Sequence, residues 1–166
     1  MKQVILCVET SKKANTDGLY ISKALKSLYK IDNSVKLTYV YCEGKPKYAS
    51  KLKEINDAKT KIKDSIVVYL FDTDSIDIDV KHQTLNEEII KYCNSNNFEY
   101  VWFYRDIEEV FLHHSVPNNT KTKEAAKFSN TSNLGKATID SLSSNELIRY
   151  RSNFMLVFNK YLDKKQ

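Results

Sequence analysis

Ser65-Ile-Val-Val-Tyr-Leu-Phe-Asp72-Thr-Asp74-Ser75 is an apolar, β-branched and aromatic run of strand length that stops at two aspartates spaced i, i+2. Its uninterrupted hydrophobicity reads as a central strand buried on both faces. A second such run, Val4-Ile-Leu-Cys-Val8, ends in Glu9. In an open α/β sheet, ligands collect beyond the carboxyl ends of the strands. If these two strands lie side by side, Glu9, Asp72 and Asp74 converge at one edge. Clustered carboxylates repel, and a bound divalent cation is the usual remedy. Two hard oxygen ligands at alternate positions suit Mg²⁺ or Mn²⁺. The plain alternative is an Asp-rich turn that caps the strand.

Working outward, strands alternate with helices. Strands are expected at about 3–8, 36–42, 65–71 and 100–104. Helices are expected from Thr16 and Asp17 onward, over about 47–62 and 83–96, and in the short segment Arg105-Asp-Ile-Glu-Glu-Val-Phe-Leu112. This order demands an α/β fold: a mostly parallel four-stranded sheet with helices on both faces. Residues 115–142 are polar and read as a long loop with one helical turn near Lys123–Phe128. Ser143 and Glu146 have the spacing of a capping box. They announce a C-terminal helix carrying Leu147, Phe154, Met155, Phe158 and Leu162. Residues 1–114 thus form the α/β core, and 115–166 a loop and helix packed on the same domain.

The 166 residues suffice for one sizeable core, and 42% hydrophobic content marks a folding chain. Three scattered cysteines, with no C-x-x-C, argue against a disulfide framework or zinc site and for buried free thiols. No apolar run is long enough to span a bilayer and no signal peptide is evident, so a cytoplasmic protein without a membrane partner is expected. A net charge of +5 is compatible with a polyanionic partner. No Ser-His-Asp triad, Walker A loop or G-x-G-x-x-G fingerprint is present, which excludes ATPase or dinucleotide chemistry from these residues.

These residues, in this order, resemble a Toprim domain, the fold shared by topoisomerases, primases and several nucleases. Val8-Glu9, followed by extra residues and then Thr16-Asp17-Gly-Leu-Tyr-Ile, looks like a stretched form of the family's glutamate motif, with Thr10 in place of the usual glycine. Glu43-Gly44-Lys45 resembles the turn after the second strand, and Asp72-Thr-Asp74 the Asp-x-Asp. Arg105-Asp-Ile-Glu108 is similar to the segment after the fourth strand in phage-defence nucleases of the OLD (overcoming lysogenization defect) group. The resemblance covers about residues 3–114. It implies a Mg²⁺- or Mn²⁺-dependent nuclease acting on DNA or RNA, with metal on Glu9, Asp17, Asp72, Asp74 and Glu108 and with Glu9 also catalytic. It further implies phage defence, a separate ATPase subunit as partner, or a homo-oligomer.

Asp17 is either a ligand or a plain N-cap, and Glu108 either a ligand or one acid of a solvated helix face. Arg105 would contact phosphate or pair with Asp106 or Glu109. Lys121 and Lys123, in a Lys-rich stretch, would meet phosphates, as would the basic second helix. Lys136, beside Gly135, is the candidate to stabilise transition-state charge. His113 and His114 are adjacent and face different ways, so they make a poor metal pair. The rival function is a non-catalytic α/β module that binds a partner protein or nucleotide.

Overall fold

The two apolar runs do become neighbouring strands. A computed structural model describes residues 1–165. Its elements are β1 (Lys2–Val8), α1 (Thr16–Leu28), β2 (Val35–Tyr41), a 3-10 segment (Lys45–Lys51), α2 (Leu52–Lys61), β3 (Ser65–Asp72), α3 (Val80–Ser95), β4 (Glu99–Phe103), α4 (Ile107–Leu112), α5 (Lys121–Ser129) and α6 (Phe154–Phe158). The four strands form one sheet of order β2-β1-β3-β4. Every pairing is parallel, with Val8 opposite Tyr41 on one side and Leu70 on the other.

The pleat sends alternate residues to opposite faces. Val4, Leu6, Val8, Val68, Leu70, Val101 and Phe103 pack with residues of α1, α4, α5 and α6. Ile5, Cys7, Val67, Tyr69, Phe71 and Trp102 pack with Ile55 of α2 and Ile89 and Cys93 of α3. Both faces of β1 and β3 are therefore covered, which is why their sequences run apolar without alternation. Cys7, Cys42 and Cys93 are free and buried. Gln3 is 1% exposed. Its amide donates to Ala58 O (3.0 Å) and Ser65 Oγ (2.9 Å) and accepts from Thr38 Oγ1 (3.0 Å). This clamp joins β2, β1 and β3 at the sheet's amino edge and helps hold their carboxyl ends level.

Several boundaries differ from the sequence reading. The second helix begins as a 3-10 segment, since Pro46 near its start fixes the backbone but cannot donate. The single turn expected near Lys123–Phe128 is a nine-residue helix, α5, because Ala125 and Phe128 reach the core. The C-terminal helix is only Phe154–Phe158. Residues 143–152 form turns and bends instead. Ser144 Oγ accepts from Glu146 N (3.1 Å), a local turn in place of a capping box, and Leu147 is 52% exposed. The competing attraction is β4. Ser152 Oγ donates to Trp102 O (2.6 Å), Trp102 N donates to Asn153 Oδ1 (2.9 Å), and Asn153 Nδ2 donates to Tyr100 O (3.1 Å). These side chains satisfy the outer edge of β4, and the extended backbone they need stops a helix from forming there.

Phe154, Met155, Phe158 and Leu162 nevertheless enter the same core as β1 and β3. Burying side chains of this size is worth about 1.5–3 kcal/mol each. Among the described residues, no helix is long and apolar enough to cross a membrane.

Candidate metal centre

Glu9 and Asp72 meet at the carboxyl edge of the sheet. Asp72 N donates to Glu9 Oε1 at 3.1 Å, and Asp72 Oδ1 accepts from Ile107 N, the first residue of α4, at 3.0 Å. Asp17 lies in the first turn of α1. Glu108 projects from α4 and is 1% exposed.

Their electrostatics join these four groups. Burial pushes Glu9 up to about 8, with Asp17 and Asp74 adding to the rise and Lys45 opposing it. Burial, then Glu108, raises Asp17 to about 7. Burial holds Asp72 well above the usual carboxylate range, with Glu9, Asp17, Glu108 and Asp106 each adding to it. Burial also raises Glu108, against the pull of Lys121. Glu9 and Asp17, raised to about 8 and about 7, sit in the range useful for proton transfer. They are also what a cation-binding cluster looks like when its charge is unmatched.

Two lysines border the cluster. Lys45 is buried, and its ammonium donates to Asp72 O and to Asp74 Oδ2, the latter at 2.8 Å. The turn ahead of it requires glycine: Gly44 has φ 126° and donates its N–H to Glu9 O at 2.8 Å. Lys121 Nζ lies 3.4 Å from Glu108 Oε2. Burial disfavours its charge, but Glu108 and Asp72 outweigh that and raise its pKa.

Backbone strain accompanies the site. Asp74 and Arg105 have φ of 58° and 59°. They lock together through Asp74 N to Arg105 O (2.9 Å) and Arg105 N to Thr73 Oγ1 (2.8 Å). Non-glycine residues with such values are uncommon and concentrate at functional sites.

The chemistry of the donors fits a hard divalent cation, since all are carboxylate oxygens. Glu108 Oε1 is buried with no hydrogen-bond partner, a situation that costs about 1–3 kcal/mol if nothing else satisfies it. Among the described residues, no three His, Cys, Asp or Glu side chains already converge as a ready-made ligand set. In this arrangement Glu9 and Asp72 accept from backbone N–H groups and Asp74 pairs with Lys45.

The residues singled out in the sequence divide accordingly. Glu9 and Asp72 meet through a hydrogen bond, and the charges of Asp17 and Glu108 bear on Asp72. Asp74 is adjacent but ion-paired. Arg105 pairs with Asp77 (2.9 Å), and not with Asp106 or Glu109. Lys123 is exposed on α5, two residues beyond Lys121. Lys136 is exposed, with its backbone N–H on Phe111 O (2.8 Å), and its charge bears on His113. Sequence reasoning missed Lys45 and Asp106. Lys45 stands in the Glu43-Gly44-Lys45 turn, whose sequence gives the lysine no role of its own. Asp106 caps α4 by accepting from Glu109 N at 2.8 Å, and its charge raises Asp17, Asp72 and Glu108. Comparison of the chain with protein-family models, with curated proteins and with solved structures finds no match.

Proposed function

We propose that this chain is a Mg²⁺- or Mn²⁺-dependent phosphodiesterase that cleaves DNA or RNA. One observation carries the reading. Glu9 at the end of β1 and Asp72 at the end of β3 meet through a hydrogen bond at the carboxyl edge of the sheet, and the charges of Asp17 and Glu108 bear on Asp72 there, offset only in part by Lys45 and Lys121.

Glu9, Asp17, Asp72 and Glu108 would hold the metal, with Asp74 joining once released from Lys45. When bound, the cation supplies Lewis-acid charge to the attacking and departing oxygens. In the metal-free protein burial keeps Glu9 protonated up to about pH 8, so it would give up that proton on taking a cation. The buried ammonium of Lys45 is better placed than Lys136 to offset charge developing at the phosphorus. Lys121 and Lys123, on the first turn of α5, would meet the phosphates, with Arg105 beside the loop after β3. A role in phage defence, a separate ATPase subunit, self-assembly and a cytoplasmic setting belong to the same proposal and rest on the Toprim resemblance and composition.

A second reading has an observation of its own. Asp72 accepts the α4 backbone N–H and Asp74 pairs with Lys45, as they would in a non-catalytic α/β binding module whose acids cap strand ends. Mn²⁺ separates the two. The nuclease reading expects a Mn²⁺-dependent thermal shift and cleavage of single- or double-stranded nucleic acid, both lost in the Asp72→Asn/Asp74→Asn double variant. No shift and no cleavage with the native chain overturns it.

A further inference from the structure

We propose that the groove between α1, α5 and the segment around Lys165 is a track for the sugar–phosphate backbone of the nucleic acid. The groove encloses about 630 Å³ and is lined by Ser22, Lys23, Lys26, Ser27, Ser129 and Lys165 among others, none of them a carboxylate. Lysines with hydroxyls between them are donors suited to phosphate oxygens. With Leu19 as the one large apolar side chain and no aromatic ring, the lining offers bases nothing to stack on. Contact there is with the backbone and is independent of sequence.

The groove's position ties it to the acidic cluster. Asp17 lies there in the first turn of α1, and α5 begins there at Lys121, which reaches Glu108. The two helices pack together, Tyr20 against Phe128 with ring centroids 4.7 Å apart. Both lead away to the groove, where the Lys23 ammonium donates to Thr131 O just past α5. At 1.5 Å per residue, Ser22 to Lys26 lie about 8 to 14 Å along α1 from Asp17. That distance matches about two to four nucleotides of axial rise along one strand. A strand cut at the acidic edge would therefore lay its flanking phosphates in the groove. The polymer's identity rests on the nuclease reading, whereas binding in the groove is measurable without it.

The test is anisotropy of a labelled single-stranded oligonucleotide in EDTA, over about 50 to 200 mM salt. It compares the native chain with Lys26→Glu/Lys165→Glu, and with Lys36→Glu/Lys91→Glu, on β2 and α3, as control. All four lysines are exposed, so the fold is retained, as circular dichroism would verify. The groove pair should weaken binding about tenfold at the lowest salt and flatten the slope of log K against log salt by about 1.4, at 0.7 per lost phosphate contact. The control should leave the slope unchanged. The proposal is overturned if the groove pair binds like the native chain, if the control loses as much, or if only vesicles of anionic lipid are bound through these lysines. Groove-dependent binding without cleavage in Mn²⁺ keeps the track and removes the nuclease. Cleavage indifferent to Lys26 and Lys165 does the reverse.

Discussion

Replacing Glu9 with glutamine should stabilise the metal-free protein, and only above acidic pH. Glu9 rises from 4.5 to about 8 on folding. A carboxyl with a raised folded pKa favours folding while it is neutral. That contribution is complete below about pH 4.5 and is lost as pH climbs to about 8, because the unfolded chain ionises first. At about 1.4 kcal/mol per pH unit, the full interval corresponds to about 5 kcal/mol as a ceiling. Glu9 keeps partial contact with solvent, which reduces the figure to about 2 kcal/mol. Glutamine keeps the oxygen that accepts from Asp72 N and cannot ionise. In EDTA at pH about 8.5, Glu9→Gln should therefore melt about 4–8 °C above the native chain, with the two coinciding near pH 4. Mn²⁺ should reverse the order. At a hundred times its dissociation constant it adds about 2.7 kcal/mol to the chain that binds it. Fluorimetric melting across pH, with and without Mn²⁺, measures all of this. If Glu9→Gln melts below the native chain at pH 8.5 in EDTA, the carboxylate is a stabilising strand cap and the clustered-charge reasoning is wrong.

Lys45→Met should lower stability at pH 7 by about 2 kcal/mol in urea titration, since Asp72 O and the Asp74 carboxylate both lose their buried donor. Gly135→Ala should cost about 2 kcal/mol or more by the same measurement. Its φ is 64°, and a Cβ there would lie 2.4 Å from Phe111 O. Phe154→Ala should cost about 3–5 kcal/mol, the ring being fully buried against Phe103 and Phe158. Calorimetry should still show one transition if the residues after 115 share the core of the first 114.

The fold was legible wherever burial wrote itself into the sequence as an unbroken apolar run. Residues 4–8 and 65–71 are such runs, and they sit in the middle of the sheet. Glu9 and Asp72 could be paired because both follow those runs directly. Lys45 could not, because its place depends on β2 lying beside β1, an adjacency that chain order leaves open. Lys136 looked suitable for its glycine neighbour, yet that glycine serves close approach to Phe111 O and not to a phosphate. The capping-box spacing at Ser143 and Glu146 was genuine local chemistry. It lost to the partners that Ser152 and Asn153 find on β4, which no local pattern reports.

Those two side chains have a consequence for how the protein meets other chains. An exposed terminal strand is a template for intermolecular pairing. Here Asn153 and Ser152 occupy that template on β4 with side-chain groups, together with Arg151 O, which accepts from Tyr104 N at 3.0 Å. Extension of the sheet by a visiting strand along β4 would first have to displace these groups.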